Sequence, residues 1–138
     1  MKVVLASHGD FCFGILNSYQ MIAGENKQIV AVSLDDSGIE IFTQRFTSLL
    51  DQVLETDEVL ILTDIKGGTP YNEAFNYFMK NSSKTRVIAG MNLPMVIELG
   101  LNLSHNSLEE LYQLGLNVGR SSIEGAEETE TQIDDIEF

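Results

Sequence analysis

The sequence predicts an α/β fold: a doubly wound, mainly parallel four-stranded sheet of order 2-1-3-4 with helices on both faces. Three observations predict it. Four times an apolar run of strand length is followed by a segment with helical spacing. The runs place Val, Ile and Leu at consecutive positions rather than alternating ones, the pattern of strands covered on both faces. Cap and breaker residues then fall between the runs, at the places where helices must begin or end.

The elements follow in order. Residues 2–6 (KVVLA) read as the first strand and residues 13–23 as the first helix, closed by Gly24. Residues 28–33 (QIVAVS) precede a helix over 38–54, with Asp36 and Ser37 as its candidate caps. Residues 58–63 (EVLILT) precede a helix over 70–80, with Thr69 as N-cap and Pro70 at the first helical position, where its missing N–H costs nothing. Residues 85–89 (TRVIA) precede a helix over 94–101, with Leu93 a poor cap before Pro94. A last helix fits residues 107–118, where Leu108, Leu111, Tyr112 and Leu114 recur at near three-to-four spacing. Met91, Met95, Phe42, Phe46, Phe75 and Phe78 have core spacing.

The chain has 138 residues, enough for one domain with an ordinary core. No apolar stretch approaches the ~20 residues of a membrane span, and the N-terminus lacks the pattern of a signal peptide. A single cysteine, Cys12, gives no disulfide framework, and a cytoplasmic location is expected. The formal charge of −13 argues against nucleic acid and anionic lipid, which reward clustered Lys and Arg. Much of that charge lies at the end: residues 122–138 hold seven acids and no base, against 14 acids and 8 bases in the rest. The expected division is therefore a domain over 1–121 and an acidic tail over 122–138. Within the tail, 122–132 reads as an acidic loop or disordered segment, and 133–138 as a short edge strand or a frayed end.

In an open parallel sheet, ligands bind beyond the carboxyl ends of the strands where the strand order reverses. In the order 2-1-3-4 that place lies between strands one and three. Strand one ends in Ser7-His8-Gly9; strand three ends in Thr63-Asp64, followed by Ile65-Lys66-Gly67-Gly68-Thr69-Pro70. His8 and Asp64 thus become neighbours across 56 positions. A carboxylate that accepts one imidazole N–H fixes the tautomer and stabilises the cation formed when the other nitrogen reacts. Gly67-Gly68-Thr69 allows close backbone approach and leads into a helix N-terminus, which favours anions. The set suits a phosphoryl group on or near His8, with the Thr69 hydroxyl and the Lys66 charge as further aids. Asp10 is expected to cap the first helix rather than to partner His8. Cys12 is expected to be a packing residue and His105 a solvated or structural loop residue.

No Walker loop, no G-x-G-x-x-G fingerprint and no His, Cys or carboxylate cluster with metal spacing occurs. Neither a cofactor nor a metal is expected, and any phosphoryl group must arrive already activated on another molecule.

Three linked motifs carry a resemblance: Ser7-His8-Gly9; Thr63-Asp64-x-x-Gly67-Gly68-Thr69-Pro70-x-Asn72; and Gly90-x-Asn92-Leu93-Pro94-Met95. Together they resemble the mannose-family EIIA component of the bacterial phosphoenolpyruvate-dependent sugar phosphotransferase system, over roughly residues 1–120. The resemblance implies that His8 accepts a phosphoryl group from phospho-HPr and passes it to an EIIB subunit, serving membrane EIIC and EIID subunits indirectly. Asp64 matches the carboxylate bonded to the imidazole, and Thr69 the hydroxyl position near the phosphoryl group. The family also implies a homodimer and a fifth, antiparallel edge strand near the C-terminus, sometimes exchanged between subunits. EIIB would be a separate polypeptide.

Two related or rival readings remain at this level. A phosphotransfer subunit for dihydroxyacetone kinase uses a similar histidine, and a non-catalytic anion-binding regulatory module would use the same cradle. A histidine phosphatase fits poorly, because Ser7 stands where its Arg-His-Gly motif needs arginine and the chain has only Arg45, Arg86 and Arg120.

Overall fold

The computed structural model describes residues 1–128. Its elements alternate as β1 (Lys2–His8), α1 (Phe11–Ala23), β2 (Ile29–Leu34), α2 (Ile39–Leu54), β3 (Val59–Thr63), α3 (Thr69–Lys80), β4 (Thr85–Ala89), α4 (Leu93–Leu101) and α5 (Leu108–Ser121). The four strands form one parallel sheet in the order β2-β1-β3-β4, as the sequence predicts. The expected edge strand over 133–138 lies outside the described residues.

Consecutive apolar residues in the strands feed two cores. On β1, Val3 and Leu5 point to one face, where they meet Leu60, Leu62, Ile88 and the α1, α4 and α5 residues Tyr19, Met95, Leu99 and Leu111. Val4 and Ala6 point to the other, against Ile61 and the α2 and α3 residues Phe42, Phe46, Leu50, Ala74 and Tyr77. All of β3, from Val59 to Thr63, is buried. Each Leu or Ile so enclosed contributes roughly 1.5–3 kcal/mol relative to exposure. The sheet is therefore a rigid base, and its central strand β1 carries His8 at its tip.

Four expected details are corrected. Asp10 occupies the N-cap position of α1 but makes no cap with its side chain; the buried Ser7 hydroxyl accepts from Cys12 N–H at 2.8 Å instead. Asp36 and Ser37 do not cap α2, whose N-cap is Gly38 without a side-chain bond; the local turn is held by Asp35, which accepts from Ser37 N–H at 2.9 Å. Thr69 is the first residue of α3, with Gly68 at the N-cap. In α4 the cap is Asn92, whose side chain accepts from Met95 N–H at 3.1 Å, one residue before Leu93. A shift of one residue in chain path changes which side chain can reach the first-turn N–H groups, so cap identity is the least legible part of a sequence.

The expected core is present at Met91, Met95, Phe42 and Phe46. Phe75 and Phe78 are corrections: Phe75 stands 42% exposed on the outer side of α3, stacked with Tyr71 and tilted against Phe78, which is half-buried and joins neither core. Spacing showed a stripe on the helix, and the stripe lies beside the buried face set by Ala74 and Tyr77.

Candidate functional site

The site arises where two strands part. β1 pairs with β3 only from Lys2 to Ala6, opposite Thr63, whereas it stays paired with β2 through Ser7 and His8. The ladder on the β3 side is continued by a side chain: Asp64 Oδ2 accepts from the His8 backbone N–H at 2.8 Å. On the other side Gly9 N–H donates to Leu34 carbonyl at 2.7 Å. His8 is thus the last residue of β1, two positions further than the sequence suggests, and its backbone is fixed from both neighbours.

The same Asp64 oxygen lies 2.8 Å from His8 Nδ1. Its other oxygen accepts from Ile65 N–H at 2.8 Å. Partial burial pushes the Asp64 carboxyl upward, but the three N–H donors outweigh it and hold the group below its ordinary range. An ionised carboxylate can only accept, so Nδ1 of the neutral ring carries the proton and Nε2 keeps its lone pair. Asp64 is largely enclosed while the His8 side chain is half exposed, at 12% and 49% respectively. A half-exposed ring is thereby held against a largely enclosed carboxylate.

Gly68 lies against the same ring. A Cβ placed there would stand 2.8 Å from His8 Cε1 and 3.5 Å from Nε2, so the approach has no room for a side chain. Gly67 adopts φ +87°, a backbone conformation that glycine takes without strain. The turn delivers the chain into α3 at Thr69 with no side-chain cap and no acid in the first turn. The positive end of α3 therefore begins at the same glycine that lies against the ring, with no side-chain cap on it. The structure brings together His8, Asp64 and Gly68, with Gly67 and Thr69 flanking Gly68 in the chain. Lys66 is exposed on the same turn.

The remaining candidates lie outside this cluster. Cys12 is buried, which pushes its thiol up, and its backbone serves the Ser7 cap. His105 is exposed in the loop between α4 and α5. A groove of about 570 Å³ between α2 and α3, lined by Thr43, Asp51, Tyr77 and Lys80 among others, includes none of the site residues. No group of three or more His, Cys, Asp or Glu side chains suited to a metal occurs among the described residues. No helix of the described residues is long and apolar enough to cross a membrane.

Sequence reasoning missed two contributors. Ser7 fixes the path from β1 into α1 through Cys12 N–H and donates to Gly9 carbonyl at 3.2 Å. Asn72 reaches back from α3 to the Gly67 carbonyl at 3.2 Å. The only signal for either was its place inside a motif beside a titratable residue.

The shelf thus holds an imidazole with a carboxylate on Nδ1, and beside it a helix start without a side-chain cap. The family model described as EIIA-man, PTS system fructose IIA component, matches residues 2–114. The chain belongs to this family. It is 35% identical over 112 residues to the fructose-specific EIIA component of Bacillus subtilis (strain 168), covering 80% of this chain and 76% of that protein. Among solved structures, the mannose/sorbose specific IIA subunit of Enterococcus faecalis matches with TM-score 0.78 at 34% identity, over 95% of this chain and 98% of that one. The phosphotransferase system component EIIA from Streptococcus agalactiae matches with TM-score 0.81 at 27% identity, over 90% and 95% of the two chains. The protein is an EIIA component of the sugar phosphotransferase system.

Proposed function

We propose that the chain is a phosphohistidine carrier in which His8 Nε2 accepts a phosphoryl group from phospho-HPr and passes it to an EIIB subunit. One observation carries the reading: Asp64 engages Nδ1 at 2.8 Å, leaving Nε2 as the nitrogen with a lone pair to offer. In the step, the Nε2 lone pair attacks phosphorus while the N–P bond to the donor histidine breaks, and the departing ring keeps that electron pair. His8 becomes cationic as the new N–P bond forms, and the ionised Asp64 stabilises it through Nδ1–H. The phosphoryl oxygens lie toward Gly68 and Thr69, where the α3 N-terminus favours negative charge by about 0.3–1 kcal/mol in an exposed setting. The Thr69 hydroxyl supplies a further donor. Transfer to EIIB reverses these movements. No metal is required, because positioning and fixed dipoles supply the stabilisation.

The carrier serves sugar uptake through membrane EIIC and EIID subunits that it does not itself contact, and it works in the cytoplasm. A homodimer completes the account. β4 is paired on one side only among the described residues, and Tyr71, Phe75 and Phe78 lie close to Val87 and Tyr112 beside it. A strand from residues 133–138, of the same or a second copy, would cover that edge. Deleting everything after Ser121 should lower the molar mass seen by light scattering; an unchanged dimer would show that no tail strand is needed.

The experiment for the carrier is label transfer from phospho-HPr. The wild-type chain should acquire acid-labile, base-stable phosphate at one per chain, and His8→Ala should acquire none while keeping the wild-type circular dichroism spectrum. Steady release of free phosphate would indicate a phosphatase, and an unlabelled wild type would leave an anion-binding module. Onward transfer of the label from His8 to a dihydroxyacetone kinase, with none reaching EIIB, would favour that subunit instead.

A further inference from the structure

The turn from Asp64 to α3 contains two adjacent glycines, and the second lies so close to the imidazole that a Cβ on Gly68 would stand 2.8 Å from His8 Cε1 and 3.5 Å from Nε2. Glycine tolerates both signs of φ, so the Gly67–Gly68 peptide can rotate at little steric cost. Its orientation decides which dipole end meets a phosphoryl group on Nε2. In the observed turn the Gly68 N–H is directed to the Ile65 carbonyl at 3.3 Å, a long bond. The Gly67 carbonyl, the other end of the same peptide, accepts from the Asn72 side-chain amide at 3.2 Å.

That amide is not needed to begin α3. The Asn72 backbone N–H already donates to the Gly68 carbonyl at 2.9 Å, closing the first turn of the helix without help from the side chain. The Asn72 side chain is also exposed, so it fills no core space. What its amide does hold is the Gly67 carbonyl, on the α3 side of the turn.

We infer that Asn72 is a positioning residue that locks the Gly67–Gly68 peptide, so that no carbonyl oxygen turns toward the phosphoryl seat and Gly68 keeps its close place against the His8 ring. The inference rests on the carrier reading for its kinetic consequence but not for its structural one. Without the amide, the peptide samples the reversed orientation, in which a partial negative charge meets the incoming phosphoryl oxygens. Asn72 touches neither His8 nor the reacting atoms, so its effect falls on the turnover step rather than on partner affinity.

The test compares Asn72→Ala and Asn72→Asp with wild type in phosphoryl transfer from phospho-HPr, and in amide hydrogen exchange at Gly68. Asn72→Asp keeps the shape of the side chain and loses the donor but adds a charge to the first turn of α3, so Asn72→Ala decides the kinetic comparison and both variants decide the exchange comparison. Both variants should lower kcat by about tenfold with KM within twofold of wild type, on the scale expected for a displaced catalytic geometry. Gly68 N–H exchange should rise by a similar factor, while exchange in β1 and β3 stays unchanged. A kcat within twofold of wild type, a loss confined to KM, or unaltered Gly68 exchange would each overturn the proposal. If the wild type accepts no phosphoryl group, the carrier reading fails, and the Gly68 exchange comparison still decides whether Asn72 holds the peptide.

Discussion

The N-termini of α3 and α4 begin alike and end up different. Each follows a parallel strand, each has proline near its start and each is preceded by a glycine at positive φ, Gly67 at +87° and Gly90 at +83°. In α4 the Asn92 side chain accepts from Met95 N–H, and its amide ties the turn to Gly119 carbonyl at 3.0 Å. In α3 the cap position is Gly68, which has nothing to offer the leading N–H groups. A good N-cap contributes about 1 kcal/mol. α4 takes that stabilisation; α3 starts without it, at the glycine that lies against the His8 ring. On the carrier reading, the difference separates a helix start built for stability from one built to receive an anion.

The contrast can be attacked from several sides. The largest effect is expected from Asp64→Asn, which removes the ionised acceptor behind Nδ1. Phosphoryl acceptance should fall by about 10²-fold, as for a misplaced reacting group, read as the initial rate of label transfer. The same variant has a signature in acid. The folded Asp64 value lies below the ordinary 3.8, so its contribution to stability is fully present above that value and is lost as pH falls through the lower folded value. The gap in thermal midpoint between wild type and Asp64→Asn should therefore narrow below about pH 4.

Gly68→Ala comes next. The added methyl meets His8 Cε1 at 2.8 Å and must displace the ring or the turn, so transfer should slow by roughly tenfold with little change in circular dichroism. Thr69→Asp should separate stability from function in opposite directions. An acid in the first turn of α3 complements the dipole and should stabilise the chain by about 0.3–1 kcal/mol, yet it repels the phosphoryl group, so the thermal midpoint should rise while the transfer rate falls. Asn92→Ala is the reverse control: it should cost about 1 kcal/mol in chemical denaturation and leave the transfer rate at the wild-type level. Equal losses of rate in Asn92→Ala and Gly68→Ala would break the contrast between the two helix starts.

Much of this arrangement is legible in the sequence. Consecutive Val, Ile and Leu in the strands implied a sheet covered on both faces, and the alternation of Val3 and Leu5 with Val4 and Ala6 realises it. The order 2-1-3-4 then placed His8 beside Asp64 across 56 positions, which is their relation in the structure. Less legible were contacts that depend on a residue or two of chain path. The sequence ends β1 at Ala6, because Ser7 and His8 are not apolar, but pairing with β2 carries the strand through both. Ser7 caps α1 from within that strand, a role that a local reading gives to Asp10. Asn72 read only as part of a motif, since nothing local shows that its amide returns to Gly67. Phe75 followed the helical spacing and still faces outward, because spacing defines a stripe without saying where its edge falls.

The central claim is that one nitrogen of one residue carries the phosphoryl group, and nuclear magnetic resonance of the phosphorylated, ¹⁵N-labelled chain tests it most directly. The account predicts phosphorus coupled to Nε2 of His8, with Nδ1 still protonated against Asp64. Phosphorus coupled to Nδ1, or attached to any residue other than His8, would contradict it.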